Sequence, residues 1–178
     1  GNTDVADMYA EKVTERNNRF YYRYENQERP VIQKEITIRF LKDGSIRERI
    51  FPAYSTHHGP VMAKRNGQWI SVKSYNRSLN SLQQSWLRTK AKGLEDYKKV
   101  MEMKGNTSNN TVFADSKGNI AYWHGNYIPI RDTAFNWGKP VDGSIKGTEW
   151  KGLHTVNESV HLYNPSNGWI QNCNSTPF

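Results

Sequence analysis

The chain has 178 residues, of which 35% are hydrophobic and 12% aromatic. That length can bury a core, but the low apolar and high aromatic content point to a β-rich chain with aromatic-loaded strands that leans on segments outside itself. One cysteine, Cys173, excludes an internal disulfide framework, and no window is long and apolar enough for a membrane-spanning helix, so no membrane partner is expected. The formal charge of +8 sits in one half: residues 1–104 hold 20 of the 25 basic and 12 of the 17 acidic residues, and residues 105–178 hold 5 of each. Bases are mixed with acids along that half, which describes a solvated surface rather than a nucleic-acid footprint; no nucleic-acid partner is expected.

In chain order, residues 4–16 read as mildly helical or extended, with Val5, Met8, Tyr9 and Val13 as the apolar set. Arg19 to Tyr24 reads as an aromatic strand. Glu35 to Phe40 alternates polar and apolar, as a half-buried strand should. Asp43-Gly44 then predicts a tight hairpin turn, with Ile46 and Ile50 on the return strand. Asn66-Gly67 predicts a second hairpin between Val61-Met62 and Trp69 to Val72. Ser78 is a helix N-cap, followed by Leu79, Leu82 and Trp86 at helical spacing. Leu94, Tyr97, Val100 and Met101 form the apolar stripe of a second helix. A third hairpin turns at Asp115 to Gly118, between Thr111 to Phe113 and Ile120 to Trp123. Residues 132–150 read as an irregular loop. The pattern is α+β: an antiparallel sheet with an inserted helical pair, forming a single domain over 1–178.

Asp4 and Asp7 lie three apart, and two carboxylates at that spacing can converge on one hard cation together with a backbone carbonyl from between them. Thr56-His57-His58-Gly59-Pro60 pairs two adjacent histidines. On a strand they point to opposite faces and are poor partners on one metal, so the segment reads as a strand ending in a Gly-Pro turn, with one histidine hydrogen-bonded. No HExxH or CxxC pattern is present, and Cys173 has no second thiol with which to share a zinc. No G-x-S-x-G elbow and no glycine-rich phosphate loop occur.

Asn164 to Pro177 packs turn formers, one aromatic–aliphatic pair and several amides into a short space. A run so poor in apolar residues is no core strand; it places amides at a fixed backbone position. A side-chain amide aimed at a developing oxyanion stabilises a tetrahedral intermediate by about 3 kcal/mol. From composition alone, Asn172, Asn174 and Ser175 read as turn caps rather than as oxyanion donors.

Six segments in order resemble the β-subunit of penicillin acylases: Asp4 to Glu11, Thr56 to Val61, Ala114 to Tyr122, Ile128 to Arg131, Trp150 to Gly152, and Asn164 to Pro177. The ending Gln171-Asn172-Cys173-Asn174-Ser175 leans toward relatives acting on long-chain acyl amides, such as acyl-homoserine lactone and aculeacin acylases. The resemblance implies an N-terminal-nucleophile hydrolase of four-layer αββα fold. In that family a self-cleaved precursor exposes a serine, which attacks a linear acyl amide with its own α-amino group as base. It implies Asn174 as the oxyanion donor. It also implies one structural calcium held by Asp4, Asp7 and the carbonyl of Ala6, and no organic cofactor. The implied partners are a small acyl-amide substrate and the rest of the acylase α- and β-chains, and the implied location is the periplasm or outside the cell, in antibiotic metabolism.

No signal peptide opens the chain, and Gly1 precedes what reads as the middle of a fold, so a longer parent is expected. The nucleophile serine, the backbone N–H that completes the oxyanion hole and a supporting arginine would lie beyond this segment, which alone should be inactive. Two other readings stand beside this one. The first is a non-catalytic module binding an anionic polymer or glycan through its basic half and exposed Tyr21, Tyr22, Tyr24, Trp69 and Trp123. The second is a degenerate acylase relative that has lost the serine.

Overall fold

The computed structural model describes residues 5–74, 78–105, 109–125 and 127–173. Among these residues, twelve strands and two α-helices follow in order: β1 (Ala6–Glu11), β2 (Val13–Arg16), β3 (Arg19–Tyr24), β4 (Gln27–Pro30), β5 (Ile32–Lys42), β6 (Ser45–Ser55), β7 (Val61–Arg65), β8 (Gln68–Ser74), α1 (Leu79–Arg88), α2 (Leu94–Met101), β9 (Thr111–Ala114), β10 (Ile120–Trp123), β11 (Val141–Asp142) and β12 (His161–Tyr163). They fall into two compact units. One comprises residues 6–74 and 132–149, and the other comprises 1–5, 75–131 and 150–178.

In the first unit, a four-stranded sheet runs β11-β1-β8-β7. β1 is antiparallel to β8 and parallel to β11. The period of two along β1 puts Asp7, Tyr9 and Glu11 on one buried face. Their register partners on β8 are Lys73, Ser71 and Trp69. Tyr9, Tyr22, Trp69, Ile70 and Val141 supply the apolar part of the core. Phe20 packs its ring against Tyr54 and Trp69. A second sheet runs β2-β3-β4, its first turn made by Asn17 and Asn18, both at positive φ.

β5 and β6 form a two-stranded ribbon in register over all eleven residues. Its turn, Asp43-Gly44, has φ of 51° and 74°, the left-handed pair that a tight primed turn requires. Asn66-Gly67 does the same between β7 and β8, at 50° and 75°. The alternation in β5 leads one to expect a half-buried strand, yet every residue of β5 is exposed. A lone ribbon has two open faces, and among the described residues only its base is covered, where Tyr54 packs against Phe20 and Trp69.

In the second unit, a three-stranded antiparallel sheet runs β12-β10-β9. Its core is Leu94, Met101, Ala121, Trp123 and Val156, with Tyr97, Phe113 and Tyr163 packed against it. Trp123 donates its indole N–H to the Tyr163 hydroxyl at 3.0 Å. The apolar stripe of α2 is thus used as expected. That of α1 is not: Leu79, Leu82 and Trp86 are 85%, 70% and 64% exposed, while Gln84 is buried. Gln84 faces inward because its amide is fully used, accepting from Gly105 N–H at 2.5 Å and lying against the Met101 sulfur at 3.7 Å. Ser78 caps α1 as expected, its hydroxyl accepting from Asn80 N–H at 3.0 Å.

The expected irregular loop over 132–150 contains β11 and a 3-10 turn over Lys146–Thr148. The expected single antiparallel sheet is instead several small sheets, one with a parallel edge strand. No helix among the described residues is long and apolar enough to cross a membrane.

Candidate functional site

The densest polar cluster of the first unit lies over the buried face of β1 and β8. Glu11 closes that face, and its side chain is fully buried. Its Oε1 accepts from Thr56 Oγ1 at 2.7 Å and from Ser71 Oγ at 2.6 Å. His58 Nδ1 lies 2.9 Å from the same oxygen. Oε2 has no hydrogen-bond partner among the described residues. Gly143 sits against it, where a Cβ would come within 2.6 Å.

His57 and His58 occupy a bend just past the end of β6, not a strand. Thr56 and Gly59 close it by exchanging backbone hydrogen bonds at 2.9 and 3.2 Å. Gly59 holds φ at 143°, where a side chain would be strained. The bend removes the period of two, so both rings turn to the same side. Their centroids are 3.8 Å apart. His57 Nε2 and His58 Nε2 lie 2.8 and 3.1 Å from one oxygen, Glu149 Oε1. The other carboxylate oxygen accepts from Lys73 Nζ at 2.8 Å. This corrects the expectation that the two histidines diverge.

Each ring is oriented from behind. His58 stacks on Tyr9 at 3.8 Å with planes 10° apart. His57 Nδ1 lies 3.0 Å from the hydroxyl of buried Tyr22, which also receives the His57 backbone N–H. The electrostatics follow from these partners. Hydrogen bonding from His58, with further help from Lys73 and His57, holds the Glu149 carboxyl well below the usual carboxylate range. Burial opposes charge on His58, but the bonds to Glu11 and Glu149 prevail and raise it. Burial, then the neighbouring His58, lowers His57.

A second polar construction belongs to the other unit and leads toward Asn174. Asn164, at φ 42°, accepts Ile120 N–H at 2.9 Å and donates its amide to Asn119 Oδ1 at 3.0 Å. Pro165 to Gly168 then make a turn closed at 2.9 Å. Asn172 Oδ1 accepts from Asn110 Nδ2 at 3.0 Å. The amide-rich run is therefore anchored at its start and again two residues before Asn174.

Of the residues singled out from sequence, Asn174 and Asp4 lie outside the described residues. Asp7 is buried on β1 opposite Lys73, and Ala6, next to it, is exposed. Tyr22, Trp69 and Trp123 are buried rather than exposed, because each has apolar or hydrogen-bonded neighbours inside its unit. Glu11 and Glu149 were not foreseen. Glu11 was legible as the third member of the Asp7-Tyr9-Glu11 alternation. Glu149 carries no local signal, reaching His58 from 91 residues away.

The chain matches the penicillin amidase family model over residues 1–178, and it belongs to that family. It is 28% identical over 178 residues to penicillin G acylase of Escherichia coli, covering 98% of this chain and 20% of that protein. It superposes on the thermostable penicillin G acylase of Alcaligenes faecalis with a TM-score of 0.80 and 27% identity, covering 99% of this chain and 32% of that one. The fold is thus that of an N-terminal-nucleophile hydrolase segment, α+β. The chain spans about a fifth of the curated relative and a third of the solved chain.

Proposed function

We propose that this chain is part of an amidohydrolase that cleaves linear acyl amides through a serine acyl-enzyme, the serine being supplied by the rest of the parent protein. The observation that carries this reading is the family match along the whole chain together with the fold likeness. In this reading the serine hydroxyl attacks the amide carbonyl, and the serine α-amino group takes its proton and returns it to the leaving amine. Asn174 donates its side-chain N–H to the oxyanion, a neutral donor that needs no pKa tuning. The double anchoring of Asn164 and Asn172 supports a fixed position for the segment that carries it. Penicillin G and N-acyl-homoserine lactones are the substrates to screen, together with the other α- and β-chain segments as partners. The proposed location is the periplasm or outside the cell.

Asp4, Asp7 and the Ala6 carbonyl are the proposed calcium ligands. The donor set is all oxygen, which fits a hard cation, and the burial of Asp7 fits a carboxylate held by countercharge. When bound, calcium would neutralise carboxylates and pin the entry to β1, a structural role outside the chemical steps.

The first test is the N-terminal residue of the mature parent chain that contains Asp4, by Edman degradation or intact mass. A free serine upstream is expected. An unprocessed precursor, or a residue there with neither hydroxyl nor thiol, overturns the catalytic reading in favour of the degenerate relative. In the processed parent, Asn174→Ala should lower kcat roughly 100- to 1,000-fold with little change in KM. An unchanged kcat removes Asn174 from the oxyanion hole.

A further inference from the structure

We infer that His57, His58 and Glu149 form a zinc-type transition-metal site, with the two imidazole Nε2 atoms and Glu149 Oε1 as ligands, separate from the Asp4, Ala6 and Asp7 positions. These three side chains place one ligand atom each within 4.8 Å of one another. Two imidazoles and one carboxylate are a donor set for zinc rather than for calcium, and three protein ligands leave the fourth tetrahedral position to water.

Two features go beyond proximity. The first is that both rings present the same nitrogen to the same oxygen, at 2.8 and 3.1 Å. Ligands of one tetrahedral zinc lie about 3.3 Å apart, so each Nε2 already stands within about half an ångström of the separation from Glu149 Oε1 that a shared ion requires.

The second feature is the outer shell. A metal-binding histidine donates its other ring N–H to a carboxylate, carbonyl or hydroxyl, which fixes its tautomer. His58 Nδ1 meets buried Glu11 at 2.9 Å, and His57 Nδ1 meets the buried Tyr22 hydroxyl at 3.0 Å. Thr56 and Ser71 hold the Glu11 oxygen in place, and Lys73 holds the free oxygen of Glu149. Every ligand is thereby oriented by a group behind it.

The test uses the full-length protein, purified without a histidine tag, stripped with EDTA and returned to excess calcium. Zinc is then titrated against a competing chelator, and cobalt is substituted to read its ligand-field absorption. Wild type should take up one zinc at this site and give a tetrahedral cobalt spectrum with nitrogen ligands. His57→Gln, at the exposed edge of the cluster, should retain the circular dichroism of wild type. It should weaken zinc by more than the roughly 10- to 100-fold that loss of an outer-shell partner costs. Glu149→Gln should do the same, while Tyr22→Phe should weaken zinc by about 10-fold. Wild-type protein that takes up no zinc, or variants that titrate as wild type does, would overturn the site and leave a protonated histidine–carboxylate bridge. The zinc readout is independent of serine processing and of amidase activity, so it stands or falls apart from the proposed function.

Discussion

Gly59 governs whether the histidine cluster can exist. It holds φ at 143° while the chain bends between β6 and β7, and a Cβ there would stand 2.1 Å from the Val72 carbonyl oxygen. Neither backbone can yield without breaking the pairing of Val72 N–H with the Pro60 carbonyl at 3.0 Å. Gly44 makes a useful contrast, with φ at 74° but nothing within 4 Å of where a Cβ would stand. Gly44→Ala therefore carries the conformational penalty alone, about 1 kcal/mol. Gly59→Ala carries that penalty plus a backbone collision, and should cost at least about 2 kcal/mol in urea unfolding. Equal losses for the two substitutions would mean that the bend relaxes freely and does not set the ring geometry.

At the scale of elements, Asp115 links a hairpin to a helix. One carboxylate oxygen accepts from Lys117 N–H at 2.9 Å and Asn119 N–H at 3.0 Å, and the other accepts from the Asn119 side chain at 2.9 Å and from Leu94 N–H at 3.2 Å. The last bond matters because α2 starts after Gly93, which has no side chain with which to cap it. Hydrogen bonding, from the Asn119 side chain first, holds the Asp115 carboxyl below its ordinary pKa of 3.8. A depressed carboxylate stabilises the fold above its unfolded pKa, and that contribution is lost as pH falls through the folded value. Thermal unfolding of wild type should therefore drop faster below about pH 4 than that of Asp115→Asn, with the two curves converging at the acid end. Parallel curves would show that the ionised form has no role at this junction.

The hairpin at Asp115 was legible from sequence, as were Asp43-Gly44 and Asn66-Gly67, because left-handed turns admit few residue types and so leave a local mark. The capping of α2 was not, since the donor and acceptor are 21 residues apart. β11 escaped because two residues are too short to show any period. The histidine pair misleads for a related reason: a period of two does not extend through a bend that Gly59-Pro60 has already ended. Glu149 could only be found in three dimensions.

For the whole molecule, the decisive feature is apolar surface without cover. Ile32, Ile36, Ile38 and Phe40 alternate along β5 and share one face of the ribbon, and all are exposed. Phe51 and Ala53, the register partners of Ile36 and Lys34, extend that face. Leu79, Leu82 and Trp86 make a similar uncovered stripe on α1. Faces of this kind mark interaction surfaces or aggregation hazards, and the same alternation that fails to predict burial within this chain is what a layered αββα parent would use. The 178-residue chain by itself should therefore associate with itself, its mass by light scattering rising with concentration. Ile36→Lys combined with Ile38→Lys should return it to monomer without loss of strand signal, since both side chains leave the ribbon's backbone pairing intact. If the chain is part of the longer acylase proposed above, the same pair of charges in that protein should do the opposite and reduce the yield of folded protein, because a buried unpaired lysine is costly. A monomer at all concentrations, or a longer protein indifferent to both lysines, would show that this ribbon face stays in water.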